Sequence, residues 1–376
     1  MNKNSLNISN KKIKRILFFI PFGLETSGGA ERVLTTLVNN LIKDKMYEID
    51  IISYNKTQSF YKLSSKVNLL DLNFKNSKNF VLKKIKPLSL LFILKKIILK
   101  NNYSYIVTLG EDVTILISLL RLPENIKKVT WIHNSIFQKT YKVLKLLRYF
   151  AYKKMDKIVM INSTDTKVYT KVYGEKVIFI PNPIIKNNKF LNNFTNHEEK
   201  VKKQIISVGR LSRVKDFKTA IEIFSYIEKK YPEWKYKIIG KDEGEKVSLL
   251  NLIKNLNLKN VEIISESTNI FKEYEAADFL LVTSINESFS MVILEARSIG
   301  VPTIAFDCDS GPRDLIINGY NGFLIKDRNK KELLKSIEIL ITNKILLNKF
   351  KENSLENLEK YNVENIVQIW KNKIFK

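Results

Sequence analysis

Short apolar segments alternate with longer amphipathic segments along the whole chain, and this rhythm constrains the fold more than any other feature. In the first half, strands are predicted at 15–20, 49–53, 67–72, 105–109, 128–132, 157–161 and 177–180. In the second half, they are predicted at 205–208, 236–239, 261–264, 279–282 and 303–306. Apolar strands separated by helices form parallel sheets that are covered on both faces. We therefore expect an α/β protein.

The length of the chain and one polar segment indicate two domains. The chain has 376 residues, enough for two domains that each bury a core. The segment 186–203 contains consecutive asparagines and lysines and is typical of a linker. We expect two doubly wound, Rossmann-like domains that face each other across a central cleft.

Positive charge is concentrated in the first half of the chain. The net charge is +26, and residues 1–190 contribute 34 basic and 12 acidic side chains. Nine of the 64 basic residues are arginine, so a general bias toward lysine remains an alternative explanation. This concentration of positive charge would attract anionic membrane lipid, a lipid diphosphate or nucleic acid. No recognised nucleic-acid motif is present, so we expect no nucleic-acid partner.

Several classes of protein are disfavoured by composition. A single cysteine, Cys308, excludes an internal disulfide framework, and two histidines, His133 and His197, are too few for a typical zinc site. The longest strongly apolar run, 88–94, is far shorter than a membrane span, and residues 1–14 lack the apolar centre of a signal peptide. These features predict a cytoplasmic location.

Lysines flank the apolar segment within 80–100 on both sides. This pattern suits a helix that lies on an anionic membrane surface, and it suits a packed surface helix with solvated lysines equally well. A second basic helix predicted over 139–154 favours the membrane interpretation slightly.

A pair of glycines and a histidine follow two predicted strands in the first half. Gly28 and Gly29 lie in the sequence SGGAER, where they leave room for a ligand and precede a helix whose free N–H groups could bind an anion. A tight strand-to-helix turn would need glycine too, and the dinucleotide pattern Gly-x-Gly-x-x-Gly is absent. His133 follows an apolar strand and could donate a hydrogen bond to a sugar hydroxyl, or could be structural.

Cations follow the first strand of the second half. Arg210 and Lys215 lie in the loop 209–216, where they could neutralise a diphosphate as it leaves. Solvated surface cations are the alternative. Glu287 and Glu295 surround the predicted start of a buried helix, where an unpaired carboxylate is costly. These two glutamates therefore have partners or hold a ligand rich in hydroxyl groups, and the pattern predicts a sugar-nucleotide site.

Three further segments complete the candidate site. The main-chain N–H groups of Ser288, Phe289 and Ser290 would face the same phosphate from the start of the helix. The pair Asp307 and Asp309 has no third ligand in view, so a metal site is not expected there. The glycine-rich segments 310–314 and 318–322 are interpreted as loops that close the crevice.

With these motifs in the same order across nearly the whole chain, the sequence resembles glycosyltransferase family 4, the retaining, metal-independent enzymes of the GT-B fold. The resemblance rests on the Gly28-Gly29 loop, His133, the loop from Arg210 to Lys215, the ESFSMVILEA segment, and the DCDSGPRDLI and NGYNGFLI segments. The two glutamates together with the arginine and lysine are a specific combination, whereas the glycine turns alone would not be.

The resemblance implies a role for each matching residue. It places Glu295 on the ribose hydroxyls, Glu287 on the donor sugar and His133 near C6 of that sugar. The diphosphate would bind Arg210 and Lys215, and Gly28 and Gly29 would border the phosphate and the acceptor. The implied catalytic residues are Glu287, His133, Arg210 and Lys215. The implied binding residues are Gly28, Gly29, Arg210, Lys215, Ser288, Phe289, Ser290 and Glu295.

The resemblance also implies an activity and a domain plan. The activity is transfer of a hexose or N-acetylhexosamine from a nucleotide-sugar, usually a UDP-sugar, to a hydroxyl of a lipid-linked or polysaccharide acceptor. Such enzymes build surface polysaccharide, lipopolysaccharide or capsule at the inner face of the cell membrane, as peripheral proteins without a metal or other cofactor. Residues 1–190 would bind the acceptor and 191–360 the nucleotide-sugar, and a helix in 361–376 would pack back on the first domain.

Two other classes of function remain open at this stage. One is a non-catalytic protein of the same fold that binds nucleotide-sugars. The other is a sugar-nucleotide epimerase or a starch-type synthase, since both share the two-domain architecture. An epimerase would need further carboxylates and histidines, and a synthase normally has a different glycine-rich entry loop.

Overall fold

The computed structural model describes residues 13–21, 23–25, 28–53, 59–72, 80–135, 141–184, 201–267 and 269–376. Its first sheet has all strands parallel, in the order β3-β2-β1-β4-β5-β6-β7. The strands are β1 (Lys14–Ile20), β2 (Tyr47–Ser53), β3 (Asn68–Asp71), β4 (Tyr105–Thr108), β5 (Lys127–Ile132), β6 (Lys157–Met160) and β7 (Val177–Phe179).

The second sheet repeats this arrangement, in the parallel order β10-β9-β8-β11-β12-β13. Its strands are β8 (Gln204–Val208), β9 (Lys235–Ile239), β10 (Val261–Ile264), β11 (Phe279–Val282), β12 (Thr303–Asp307) and β13 (Gly322–Lys326). Each sheet reverses its strand order beside its first strand, which is the doubly wound topology. The predicted fold, two doubly wound α/β units, is confirmed.

Helices cover both faces of each sheet. Those that follow strands of the first sheet are α1 (Gly29–Leu41), α2 (Phe80–Lys100), α3 (Glu111–Leu119), α4 (Lys142–Lys153) and α5 (Ser163–Tyr173). The later helices are α6 (Phe217–Lys230), α7 (Lys246–Asn255), α8 (Ile270–Glu275), α9 (Met291–Arg297), α10 (Pro312–Leu315), α11 (Lys330–Thr342), α12 (Lys344–Ser354) and α13 (Val363–Lys373). One apolar cluster joins α1, α9 and α13, so the two halves share a core.

The last strand, β13, was not predicted from the sequence. Its first residue, Gly322, belongs to a segment that we interpreted as a turn because it is rich in glycine. A Cβ on Gly322 would lie 2.2 Å from the carbonyl oxygen of Thr303 on β12. Glycine is therefore needed there for close approach of two strands. The segment 310–314 also differs from a plain turn, because α10 begins at Pro312.

The chain ends on the first sheet. Trp370 of α13 packs against Trp131 of β5, with 4.9 Å between ring centroids. Lys371 Nζ lies 2.7 Å from a carboxylate oxygen of Asp44, and Lys14 Nζ donates to the carbonyl of Phe375 at 2.8 Å. These apolar and polar contacts attach α13 beside α1.

Helix α2 covers the lysine-flanked segment. Leu90, Leu94 and Ile98 are buried in the core, whereas Phe92 is exposed, so its C-terminal half packs as a surface helix. Within the described ranges, no helix combines the length and apolar character that crossing a bilayer requires. His197 and most of the predicted linker 186–203 lie outside the described residues, as does Ser27 of the glycine loop.

Candidate functional site

The residues predicted to form the site follow the carboxyl ends of strands in both sheets. Gly28 lies between β1 and α1, and His133 directly follows β5. Arg210 and Lys215 follow β8, and Glu287 follows β11. Carboxyl ends of parallel strands form the ligand crevice of doubly wound sheets. The fold therefore brings these loops to one cleft.

The two halves approach each other closely at the glycine loop. Gly29 is the first residue of α1, and a Cβ placed on it would lie 3.5 Å from Cγ of Met291 at the start of α9. This is ordinary van der Waals contact, so alanine would fit there but a branched side chain would not fit without movement.

An arginine of the first half binds the glutamate predicted to hold a ribose. Arg32 Nη1 lies 2.5 Å from Glu295 Oε1, and Tyr274 donates to Glu295 Oε2 at 3.2 Å. The Arg32 guanidinium also lies 5.5 Å from the ring centroid of Phe271. Sequence reasoning assigned no role to Arg32 or Tyr274. The position of Arg32, one helical turn after Gly29, is the signal that could have identified it.

Glu295 is buried on α9, which changes its acidity. Burial raises the pKa of its carboxyl group, while the Arg32 cation and the Tyr274 hydroxyl oppose that rise. Burial also raises the pKa of Tyr274 well above its usual value, so this hydroxyl remains a donor. The arrangement is an acceptor site for donors such as sugar hydroxyls, at present filled by protein groups.

Glu287 is fixed by three neighbours. Lys215 Nζ lies 2.6 Å from its Oε1, and Ser284 Oγ donates to the same oxygen at 2.6 Å. Ser310 Oγ donates to its main-chain carbonyl at 2.7 Å. Gly311 follows with φ +86°, and a Cβ there would lie 3.1 Å from Glu287 Cβ. The segment after β12 therefore closes tightly over Glu287.

The two predicted site cations of the β8 loop have different partners. Lys215 is mostly buried against Glu287, whereas Arg210 is exposed and lies 2.8 Å from Glu243 Oε1. A Gly240 Cβ would lie only 1.8 Å from the carbonyl oxygen of Gly209, so this loop and the loop after β9 are in direct contact. The structure thus brings Lys215, but not Arg210, onto Glu287.

His133 packs beside Trp131, with 4.4 Å between ring centroids. Burial lowers its pKa to about 3, so the imidazole is neutral near pH 7. No described residue forms a hydrogen bond with its buried Nε2 atom. A neutral imidazole with one free nitrogen can donate to or accept from a ligand, depending on its tautomer.

Residues 288–290 precede α9. The ring of Phe289 is buried and lies 6.0 Å from that of Tyr361, which gives it a packing role. Ser290 has φ +67°, and its buried Oγ has no hydrogen-bond partner among the described residues. Ser290 thus has a left-handed backbone conformation directly before the helix begins at Met291.

One carboxylate of the pair Asp307 and Asp309, that of Asp307 at the end of β12, has a partner within the protein. Asp307 Oδ1 lies 2.9 Å from Arg313 Nε. Among the described residues, no group of three or more histidine, cysteine or carboxylate side chains is arranged to hold a metal ion.

The second half of the chain is similar to a known protein family. Residues 189–357 match the family described as glycosyl transferases group 1. An uncharacterised glycosyltransferase of Haemophilus influenzae is 29% identical, with 96% of this chain and 99% of that protein covered. The amylovoran biosynthesis glycosyltransferase AmsD of Erwinia amylovora is 26% identical, with coverage of 93% and 96%.

A further relative is named for its acceptor. It is an α-1,4-N-acetyl-D-galactosaminyltransferase of Campylobacter jejuni that acts on a diphospho-undecaprenol-linked glycan, and it is 24% identical over 92% of this chain and 94% of that protein.

Solved structures share the fold at low sequence identity. TarM of S. aureus has a TM-score of 0.79 at 16% identity, with 96% of this chain and 98% of that chain covered. Anabaena Alr3699/HepE, solved in complex with UDP, has a TM-score of 0.76 at 16% identity, with coverage of 96% and 99%. The match to the glycosyl transferases group 1 family covers residues 189–357, and the chain is a glycosyltransferase with the GT-B fold.

Proposed function

We propose that this protein is a retaining glycosyltransferase of family 4. It transfers a hexose or N-acetylhexosamine from a UDP-sugar to a hydroxyl of a lipid-linked or polysaccharide acceptor in the synthesis of a bacterial surface glycan. The observation that carries this proposal is the pair of buried glutamates at the cleft, Glu287 with Lys215 and Glu295 with Arg32.

The geometry around Glu295 supports a donor site. A buried carboxylate is costly without partners, and here its partners are groups that a nucleotide could replace or share. Ribose hydroxyls are hydrogen-bond donors that suit a carboxylate acceptor. In this proposal Glu295 binds the ribose, and the N–H groups of Ser288 and Ser290 face the phosphates.

The surroundings of Glu287 support a role in holding the donor sugar. Its Oε1 already accepts from Lys215 and Ser284, so it is a poor nucleophile of the kind used by retaining glycosidases. In the proposed reaction the bond from the anomeric carbon to the diphosphate breaks. The bond to the acceptor oxygen forms on the same face, and the acceptor proton passes to the departing diphosphate oxygen. Lys215 and Arg210 would stabilise the charge on that group.

His133 and the glycine loop complete the proposed site. The free Nε2 of His133 would bind a hydroxyl of the donor sugar near C6. Gly28 and Gly29 would border the phosphate and the acceptor, because the close approach of Gly29 to Met291 leaves main chain rather than side chains at this edge.

The relatives support the choice of donor and acceptor. AmsD is named for the biosynthesis of amylovoran, and the Campylobacter enzyme for an undecaprenol-linked acceptor. HepE binds UDP in a fold like this one. With an acceptor anchored in lipid, the protein would work at the inner face of the cell membrane, as a peripheral protein on an anionic surface and without a metal.

Thermal stabilisation by UDP, GDP, ADP and their sugars tests the donor site, with Glu295→Gln beside the native protein. A ligand at about 100 times its dissociation constant adds roughly 2.7 kcal/mol of stability. We expect UDP compounds to stabilise the native protein and to lose most of that effect in Glu295→Gln. Glu338→Gln, which removes an exposed carboxylate paired with Lys230, is the matched control. Stabilisation without sugar transfer would indicate a non-catalytic binding protein, and stabilisation by no nucleotide would contradict the proposed site.

A further inference from the structure

Helix α4 carries an apolar stripe that faces away from the protein. Val143, Leu146, Leu147 and Phe150 follow the spacing i, i+3, i+4, i+7, which places them on one side of a helix. Such a stripe normally faces the core. Here Val143 is 71% exposed, Leu146 58% and Phe150 55%, so the described residues leave most of the stripe uncovered, and the ring of Phe150 contacts its neighbour Tyr149.

The opposite side of α4 is firmly attached to the protein. Ala151 and Tyr152 are buried in the cluster formed with β5 and β6. Arg148 Nη1 lies 2.6 Å from Glu111 Oε1 of α3, and both side chains are largely buried. The exposed stripe is therefore not explained by a loosely packed helix, since α4 has its own apolar contacts and a buried ion pair on the other side.

The charges around the stripe all have one sign. Residues 139–155 contain six basic and no acidic side chains. Lys142, Lys145 and Lys153 are exposed on α4 itself. An apolar stripe bordered by lysines is the pattern of a helix that lies in the interface of an anionic bilayer. The core of a protein–protein interface is instead depleted of lysine, which disfavours a protein partner.

Helix α4 follows a strand that ends at the cleft. The helix follows β5, and the carboxyl end of β5 carries His133 at the cleft. We propose that α4 is the membrane-docking element of this protein, with its apolar stripe inserted among the headgroups of an anionic bilayer. Docking there holds the cleft next to the membrane, where the sugar end of a lipid-linked acceptor enters. The lipid-linked acceptor in this inference comes from the proposed function, whereas the docking of α4 on a membrane does not depend on that function.

Helix α2 is the weaker candidate for this role. Its C-terminal half exposes Phe92, but its other apolar row, Leu90, Leu94 and Ile98, is used in the core. The described part of α2 exposes three large apolar residues, Phe92, Ile93 and Leu99, whereas α4 exposes a row of four that Lys142 and Lys153 flank.

Co-sedimentation of the full chain with vesicles tests the inference. The vesicles contain phosphatidylcholine alone or phosphatidylcholine mixed with phosphatidylglycerol. The test variant is Leu146→Gln with Phe150→Gln. Its matched control is Val247→Gln with Ile345→Gln, which changes two exposed apolar residues of α7 and α12, 70% and 85% exposed, in the second half of the chain.

We expect the native protein and the control to bind the mixed vesicles, and the test variant to bind them about tenfold more weakly per side chain removed. Lys142→Gln with Lys153→Gln should reduce binding about fivefold per lysine at low salt, and less at high salt. Equal binding by the control and test variants would overturn the inference. So would failure of the native protein to bind mixed vesicles, or conversion of a native dimer to monomer by the test variant.

UDP stabilisation of every variant checks that the fold and the donor site are intact. If UDP stabilises the native protein but vesicles do not bind it, the docking inference fails and the proposed donor site stands. If vesicles bind through α4 but no nucleotide stabilises the protein, the proposed function fails and the docking surface stands.

Discussion

Arg32 and Glu295 join the two halves of the protein across the cleft, with 2.5 Å between Nη1 and Oε1. They are 263 positions apart in the sequence. Because Glu295 is buried and both of its oxygens accept hydrogen bonds, a ribose can reach it only if Arg32 moves or shares its oxygen. The same pair thus links the two halves and shields the carboxylate that we propose for the nucleotide.

The first prediction is that these two residues are energetically coupled. Arg32→Ala leaves Glu295 as an uncompensated buried charge and should lower the melting temperature markedly. In a Glu295→Gln background the same substitution should cost less, by about 1–3 kcal/mol in a double-mutant cycle. Thermal unfolding of the four proteins measures this difference. If the changes in melting temperature of the two single variants add up in the double variant, the two residues are not coupled and the pair does not hold the halves together.

Glu287 and Glu295 should differ in their effects on catalysis. Glu287→Ala should lower the rate of sugar transfer far more than it lowers UDP affinity, because Glu287 is proposed to hold the sugar and not the nucleotide. Glu338→Gln is a suitable control, since Glu338 pairs with Lys230 on the helices of the second half, outside the candidate site. Transfer assays and UDP titration of each variant give the two quantities. An equal loss of UDP affinity in Glu287→Ala and Glu295→Gln would contradict this division of roles.

Gly29 gives a steric test of closure. Its Cβ position lies 3.5 Å from Met291 Cγ, so Gly29→Ala should bind UDP much like the native protein. Gly29→Val adds two methyl groups toward Met291 and should weaken UDP binding, because the cleft cannot close fully. Adding Met291→Ala should restore part of the loss. If Gly29→Val binds UDP as tightly as the native protein, UDP binding does not require the contact between Gly29 and Met291.

Local patterns were sufficient to predict most of the fold. All twelve predicted strands are present, because each is a short apolar run; most are buried, and the edge strands β3, β7 and β10 are partly exposed. β13 was missed because Gly322 serves close packing against Thr303, which a sequence does not distinguish from a turn. The burial cost of carboxylates correctly indicated partners for Glu287 and Glu295. It could not identify Arg32 as one of them, since that contact depends on how the two halves are placed.

Metal independence is a further prediction. Of the two carboxylates in the Asp-x-Asp pair, Asp307 is already neutralised by Arg313. Sugar transfer should therefore continue in excess EDTA at nearly its full rate. Loss of transfer in EDTA, with recovery on adding Mn²⁺ or Mg²⁺, would show that a metal carries the diphosphate instead of Arg210 and Lys215.

The last prediction concerns His133 and acid. Its pKa is about 3 in the folded protein and 6.5 in its ordinary state, so between these pH values the unfolded chain binds a proton that the folded protein does not. Stability should therefore fall as pH drops below about 6.5, with a slope of up to about 1.4 kcal/mol per pH unit from this residue. His133→Gln cannot bind this proton, so its melting temperature should fall less steeply over the same range. Parallel curves for the two proteins would mean that His133 is hydrated and ionises normally, and that its Nε2 is not held neutral for a sugar hydroxyl.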